Sequence, residues 1–243
     1  PTSVSLNKEN YRLTDNFTIK ITGLADKRLY KEASRFMQRL SEKTGLFFKT
    51  WEIPNVSHNP SAALKIHSIK KGVVQLDMEE SYTLSVDNSE IKINAASDIG
   101  AIRGLETLLQ LVESDPNGFY FQGAYISDNP RFAWRGLLLS QPYHFMPMDV
   151  IKRTLDAMAM VKMNVFHFYI SDDQGYTIES KVFPPLHEKA SGGNYFTHVQ
   201  VAEIIEYADQ RGIRVIPEID LPGHSTAILT AFPELASNKR TYT

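Results

Sequence analysis

Between residues 129 and 235 the chain repeats one unit, a short and almost continuously apolar run followed by an amphipathic helix. This repetition restricts the fold more than any other feature. The runs are WRGLLLS, NVFHFYI and IRVIPEI, at residues 134–140, 164–170 and 213–219. A strand with one wet face alternates apolar and polar residues, whereas a strand apolar at nearly every position is covered on both faces, as in parallel sheets. The intervening helices carry their own signals. Over residues 148–162, Asp149 lies in the first turn and Ile151, Leu155, Met158 and Ala159 share one face. The next helix opens at Thr197 with a T-x-x-Q capping box to Gln200, runs through Val201, Ile204, Ile205 and Ala208, and stops at Gly212.

Strand, helix, strand, helix, strand predicts an α/β fold with parallel pairing. An open doubly wound sheet and a closed (β/α)8 barrel both satisfy the pattern. No G-x-G-x-x-G or G-x-x-x-x-G-K follows any strand, so the nucleotide signatures of the open sheet are missing. Polar residues cluster past each strand's carboxyl end, where barrel enzymes build their sites, and the barrel is preferred. A barrel of this type takes roughly 250 residues by itself. Three strands read as an incomplete (β/α)8 TIM barrel over residues 126–243.

Residues 1–125 follow a different rhythm and read as a small α+β domain without catalytic residues. Phe17, Ile19 and Ile21 step by two in a strand. A helix follows, capped by Asp26, with Leu29, Tyr30, Ala33, Phe36, Met37 and Leu40 in one stripe and Gly45 as its stop. ALKIHSIK, with YTLSV and EIKINA joined through Asp87, Asn88 and Ser89, has the alternation and turn chemistry of an antiparallel sheet. Ser97 opens a second helix whose apolar positions are Ile99, Ile102, Leu105, Leu108, Leu109 and Val112, which places helices on one face of the sheet. His58 and His67 read as surface residues. SDPNGFYFQG reads as the connector between the two regions.

Composition narrows the chemistry. With 26 basic and 28 acidic residues and no block of like charge, neither nucleic acid nor an anionic membrane is indicated as a partner. The absence of cysteine rules out disulfides, thiolate nucleophiles and thiolate metal sites. No apolar run approaches the roughly 20 residues of a membrane span, and PTSVSLNKEN is not a signal peptide. A secreted or periplasmic protein whose leader has been removed is favoured over a cytoplasmic one.

Chemistry is sought at the strand ends. Ser140 to His144 follow the first strand, Ser171, Asp172, Asp173 and Gln174 the second, and Glu218, Asp220 and His224 lie on or after the third. Each also has a plain structural reading, Asp172 and Asp173 as caps of the following loop and Glu218 or Asp220 as hydrogen-bonding acids. His224 sits in a rigid Pro-Gly turn that fixes its position. His167, Asp172, Glu218, Asp220 and His224 are metal-capable, yet the paired H-x-H of barrel metal sites is replaced by His167-Phe168-Tyr169, and no metal or other cofactor is expected. A histidine beside an acid has a simpler use: the carboxylate orients the imidazole, which tunes a carboxylic acid elsewhere.

The segments DNPRFAWRGLLLS, KMNVFHFYISDDQGY, YADQRGIRVIPEIDLPGHS and FPEL, in this order and spacing, resemble glycoside hydrolase family 20, the β-N-acetylhexosaminidases. The preceding ASDIGAIRGLETLLQLV resembles the end of that family's non-catalytic domain. The resemblance implies exo-acting, substrate-assisted, retaining hydrolysis of oligosaccharides or glycoconjugates, in which the sugar's acetamido oxygen attacks the anomeric carbon. An Asp stabilises the resulting oxazolinium and an adjacent Glu protonates the leaving oxygen, both in a G-x-D-E-like motif that this sequence does not contain. Asp172 and His224 match the supporting relay that tunes the Glu. Tyr143, His167, Asp173 and Glu218 are the candidate substrate-binding residues.

The first strand departs from the pattern. The family's D-x-S-R-H is here Ser140-Gln141-Pro142-Tyr143-His144, so Tyr143 stands where an Arg would grip two sugar hydroxyls. Its H-W-H is His167-Phe168-Tyr169. The chain by itself is expected to be inactive, and the unpaired edges of three parallel strands predict pairing with a second copy or poor solubility. The other readings are a non-catalytic glycan-binding or scaffold protein of the same fold and a metal-dependent barrel hydrolase.

Overall fold

The computed structural model describes residues 1–24, 26–49 and 61–238, so His58 lies outside the described residues. Contacts divide the chain into two compact units. Pro1–Trp134 with Met160–Lys162 and Gln210–Gly212 make the first, and Arg135–Ala159, Met163–Asp209 and the described residues from Ile213 onward make the second. Among the described residues no helix is long and apolar enough to cross a membrane.

The first unit contains β1 (Ser3–Leu6), β2 (Tyr11–Arg12), β3 (Ile19–Gly23), α1 (Lys27–Thr44), β4 (Leu64–Lys70), β5 (Tyr82–Val86), β6 (Ile91–Ser97), α2 (Asp98–Gln110), β7 (Val112–Asp115), β8 (Gly118–Phe121) and β9 (Ala124–Asp128). Asp26 caps α1 by accepting from the Lys27 amide at 2.5 Å, and Gly45 ends it at φ 70° with its N–H on the Ser41 carbonyl. Ser97 caps α2 through the Gly100 amide. Leu29, Ala33, Phe36, Met37 and Leu40 are fully buried with Ile102, Leu105 and Leu108 in one apolar core, as helical spacing requires. His67 is exposed.

The sheet is mixed rather than antiparallel. Its order is β1-β9-β5-β6-β4-β3, with β3, β4 and β6 parallel and the remaining pairs antiparallel. The β5–β6 hairpin obeys its local turn chemistry, with Asp87 accepting from the Ser89 and Glu90 amides. The orientation of β4 is set by the α1 crossover, which returns the chain parallel to β3. SDPNGFYFQG is not a connector: it forms the β7–β8 hairpin of a second sheet, ordered β2-β8-β7. Asp, Asn and Gly punctuate hairpins and linkers alike. Val112, read as helical, begins β7 because α2 ends at Gln110.

In the second unit β10 (Gly136–Ser140), β11 (Val165–Asp172) and β13 (Arg214–Ile219) form a parallel sheet with β11 in the centre, and β12 (Gly175–Tyr176) returns antiparallel on the end of β11. α3 (Met148–Met160) and α5 (His198–Asp209) supply the crossovers, while α4 (Pro185–Ala190) and α6 (Thr226–Ala231) lie in loops where no helix was expected. The Thr197–Gln200 box is reciprocal: the Thr197 amide donates to Gln200 Oε1 at 2.8 Å and the Gln200 amide to Thr197 Oγ1 at 3.3 Å. Ile151, Leu155, Met158 and Ala159 pack with Phe166, Phe168, Ile170, Ile204 and Ala208 in this unit's core. Ile205 lies outside the stripe and is half exposed, one helical step round from Ile204.

Of the three strands read as buried on both faces, only the central β11 is so. In β10, Leu137 and Leu138 are 37% and 50% exposed, and β13 is half-exposed along its length. Both are edge strands, paired only with β11 among the described residues. Apolar composition marks what a strand is suited to cover; the neighbours present decide what is covered.

Candidate active site

The candidate site lies at the carboxyl ends of β10, β11 and β13. Side chains alternate along a strand, so Phe166, Phe168 and Ile170 turn to the helices and His167, Tyr169 and Ser171 to the other face. On that face His167 Nε2 contacts Glu218 Oε2, and the Tyr169 hydroxyl donates to Asp220 Oδ2 at 3.0 Å. Glu218 and Asp220 alternate by two on β13 and its exit, as His167 and Tyr169 do on β11, so the two acids meet two partners. Each acid thus has a partner on β11.

At Tyr169 to Ser171 the register between β11 and β13 shifts. Beyond that irregularity Asp172 is buried, with its side chain 3% exposed. His224 Nδ1 lies 3.0 Å from Asp172 Oδ1, and Asp172 Oδ1 also accepts from the Asp173 amide at 2.6 Å. An ionised carboxylate only accepts, so Nδ1 carries the proton and the other ring nitrogen of a neutral His224 is left as an acceptor. The imidazole is 58% exposed. His224 holds a left-handed backbone, φ 50°, in the turn after the cis Leu221–Pro222 bond, and the Ser225 hydroxyl donates to the Pro222 carbonyl inside that turn.

Asp173 is exposed, lies 3.7 Å from His224 Nδ1, and accepts from the Thr226 amide at 3.0 Å. The Thr226 hydroxyl and amide, helped by His224, hold its carboxyl below the usual carboxylate range. Asp173 thus also fulfils the plain reading of a loop-capping acid. Asp172, Asp173 and His224 bring ligand-type atoms within 4.8 Å of one another. Within the cluster, Asp172 Oδ1 faces His224 Nδ1 and accepts from the Asp173 amide, and Asp173 Oδ1 accepts from the Thr226 amide.

The remaining candidates are placed as follows. Tyr143 is 64% exposed and His144 exposed, both in the turn after β10, and Tyr143 makes no hydrogen bond with another described residue. Gln174 is exposed. Ser140 Oγ, Ser171 Oγ and Gln141 Nε2 are buried without a hydrogen-bond partner among the described residues. Gln141 anchors its own loop instead, with its amide donating to the Tyr169 carbonyl and its Oε1 accepting from the Met146 amide. Sequence reasoning placed Tyr169 only at the end of the His167-Phe168-Tyr169 run and did not foresee its bond to Asp220. Its signal was there, two residues from His167 and therefore on the same strand face.

Parallel strands joined by crossover helices, with a buried carboxylate beside an imidazole at their carboxyl ends, define an α/β unit. Residues 132–243 match the model of glycosyl hydrolase family 20, catalytic domain, and residues 48–111 match that of a β-acetyl hexosaminidase like domain. A β-hexosaminidase of Vibrio furnissii is 38% identical over 174 residues, covering 64% of this chain and 28% of that protein. The β-hexosaminidase subunit A1 of Dictyostelium discoideum is 33% identical over 210 residues, covering 85% of this chain and 40% of its own length. The crystal structure of a Flavobacterium johnsoniae chitobiase superposes with a TM-score of 0.96 at 49% identity, covering 99% of this chain and 37% of that one. The chain belongs to glycosyl hydrolase family 20. It spans well under half the length of each of these three relatives.

Proposed function

We propose that the chain is part of an exo-acting β-N-acetylhexosaminidase that releases terminal N-acetylhexosamine from oligosaccharides or glycoconjugates by substrate-assisted, retaining catalysis. The observation that carries this reading is the 3.0 Å contact between the buried Asp172 and His224 at the carboxyl ends of parallel strands in a family 20 chain. The three β/α units are read as the opening part of a (β/α)8 barrel, with residues before about 126 as its non-catalytic companion.

In this mechanism the acetamido oxygen of the bound sugar attacks the anomeric carbon as a carboxylic acid protonates the departing oxygen. The Asp and Glu that assist these steps belong to the G-x-D-E-like motif absent from this sequence. Asp172 fixes the tautomer of His224, and His224 in turn tunes the acid by accepting or returning a proton at its second ring nitrogen. Tyr143, His167, Asp173 and Glu218 are assigned to the sugar's hydroxyls, and Tyr143 offers a single donor where an Arg fork would grip two. That the relatives are named β-hexosaminidases favours hydrolysis over glycan binding alone.

The test is hydrolysis of 4-nitrophenyl N-acetyl-β-glucosaminide by the complete polypeptide and, separately, by the 243-residue chain. Turnover by the first, insensitive to chelators, and none by the second are expected. An inactive complete protein that still binds N-acetylglucosamine would overturn the hydrolase in favour of a binding protein.

A further inference from the structure

Asp172 and Tyr169 are three residues apart on β11, a spacing that puts side chains on opposite faces of a regular strand. The register shift between Tyr169 and Ser171 breaks that alternation. Such irregularities re-aim the side chains beside a site. Asp172, just past that shift, bears on the Tyr169 phenol with its negative charge, as Asp220 does. Tyr169 is 9% exposed and its hydroxyl is bonded to Asp220 Oδ2 at 3.0 Å.

Resting on the hydrolase reading above, we propose that Tyr169 is a positioning residue whose hydroxyl ties Asp220, at the exit of β13, to the Asp172–His224 pair at the end of β11. The groups that bear on it are Asp172 on its own strand, Asp220 and its register partner Glu218 on the β13 side, and Ser140 opposite on β10. Glu218 is occupied by His167, so Asp220 is the acid that the phenol serves. Burial first, then the Asp220 and Asp172 carboxylates, raise the phenol above the ordinary tyrosine range, so it remains a donor wherever the site works. The Tyr169 proton is donated to Asp220, while Asp172 Oδ1 faces His224 Nδ1 and accepts from the Asp173 amide. Without that proton, the Asp220 carboxylate loses a donor, and its charge bears more strongly on the Asp172–His224 pair.

In the complete protein, Tyr169→Phe is expected to lower kcat about tenfold, with KM within roughly twofold. The acid limb of its pH profile should move to higher pH. Tyr169→His, which restores an N–H donor, should recover part of the loss. The NMR titration of the His224 imidazole reads the same coupling without turnover: its midpoint should rise in Tyr169→Phe and fall in Asp220→Asn, which removes a charge and keeps the shape. Wild-type kcat, pH profile and His224 midpoint in folded Tyr169→Phe, or the same displacement of the midpoint by both variants, would overturn the proposal. A wild-type protein without turnover would overturn only the hydrolase reading, because the NMR titration still decides this one.

Discussion

Replacing Asp172 by Asn tests the relay most directly, because the side chain keeps its volume and loses its charge. The contact to His224 is 3.0 Å, with the carboxylate buried and the imidazole 58% exposed. A hydrogen bond to a charged group contributes about 1.5–3 kcal/mol, and solvent screening at the exposed imidazole places this one near the lower figure. At about 1.4 kcal/mol per tenfold, the bond alone accounts for roughly a factor of ten. An amide can also present its N–H₂ to His224 Nδ1, which admits the opposite tautomer, with the proton on the nitrogen that should accept. Together these losses predict a fall in kcat of about 10²-fold or more, inside the range of general acid catalysis. The assay is steady-state hydrolysis of an aryl N-acetyl-β-glucosaminide by the complete protein, paired with ¹⁵N NMR of the His224 ring. Activity within about threefold of wild type, with the ring tautomer unchanged, would refute the reasoning.

Three further outcomes concern the fold. Gly100→Ala should destabilise the first unit by about 1–3 kcal/mol in urea unfolding, although Ala is the better helix former, because the new Cβ would lie 2.4 Å from the Ser81 carbonyl oxygen; a stabilised variant would contradict the close approach of α2 to the chain at Ser81. Thr197→Ala should cost about 1 kcal/mol by removing one side of the α5 capping box, and an unchanged denaturation midpoint would show that the box contributes nothing. The Ser89 hydroxyl and the Ser89 and Glu90 amides hold the Asp87 carboxyl below its usual range. Its contribution is therefore present above the unfolded value of about 3.9 and is lost as pH falls through the lower folded value; unfolding measured across the acid range should show a smaller acid loss in Asp87→Asn.

Much of this molecule could be read along the chain because its signals are local. Asp26, Ser97 and the Thr197–Gln200 box cap helices through atoms a few residues away, and the apolar stripes of α1 and α3 follow from 3.6-residue periodicity. The family, too, was legible, since its motifs are contiguous runs. Asp172 and His224 could be joined only through that resemblance; read from the residues alone they were single candidates. They are 52 residues apart, and only the parallel pairing of β11 with β13 brings their loops together.

Where tertiary structure decided, the sequence signal was ambiguous or non-local. SDPNGFYFQG carries turn residues that suit either a linker or a hairpin, and the presence of β2 as a partner made it a hairpin. β4 runs parallel to β3 because a helix separates them, a matter of crossover geometry that alternation does not encode. The apolar run of β10 was read as buried, yet burial belongs to neighbours, and at an edge strand Leu138 remains half exposed. Tyr169 stood in the sequence as the aromatic that closes the His167-Phe168-Tyr169 run. The register shift and the approach of Asp220 from another strand gave its hydroxyl a task, because hydrogen bonds depend on distances in space that residue order leaves open.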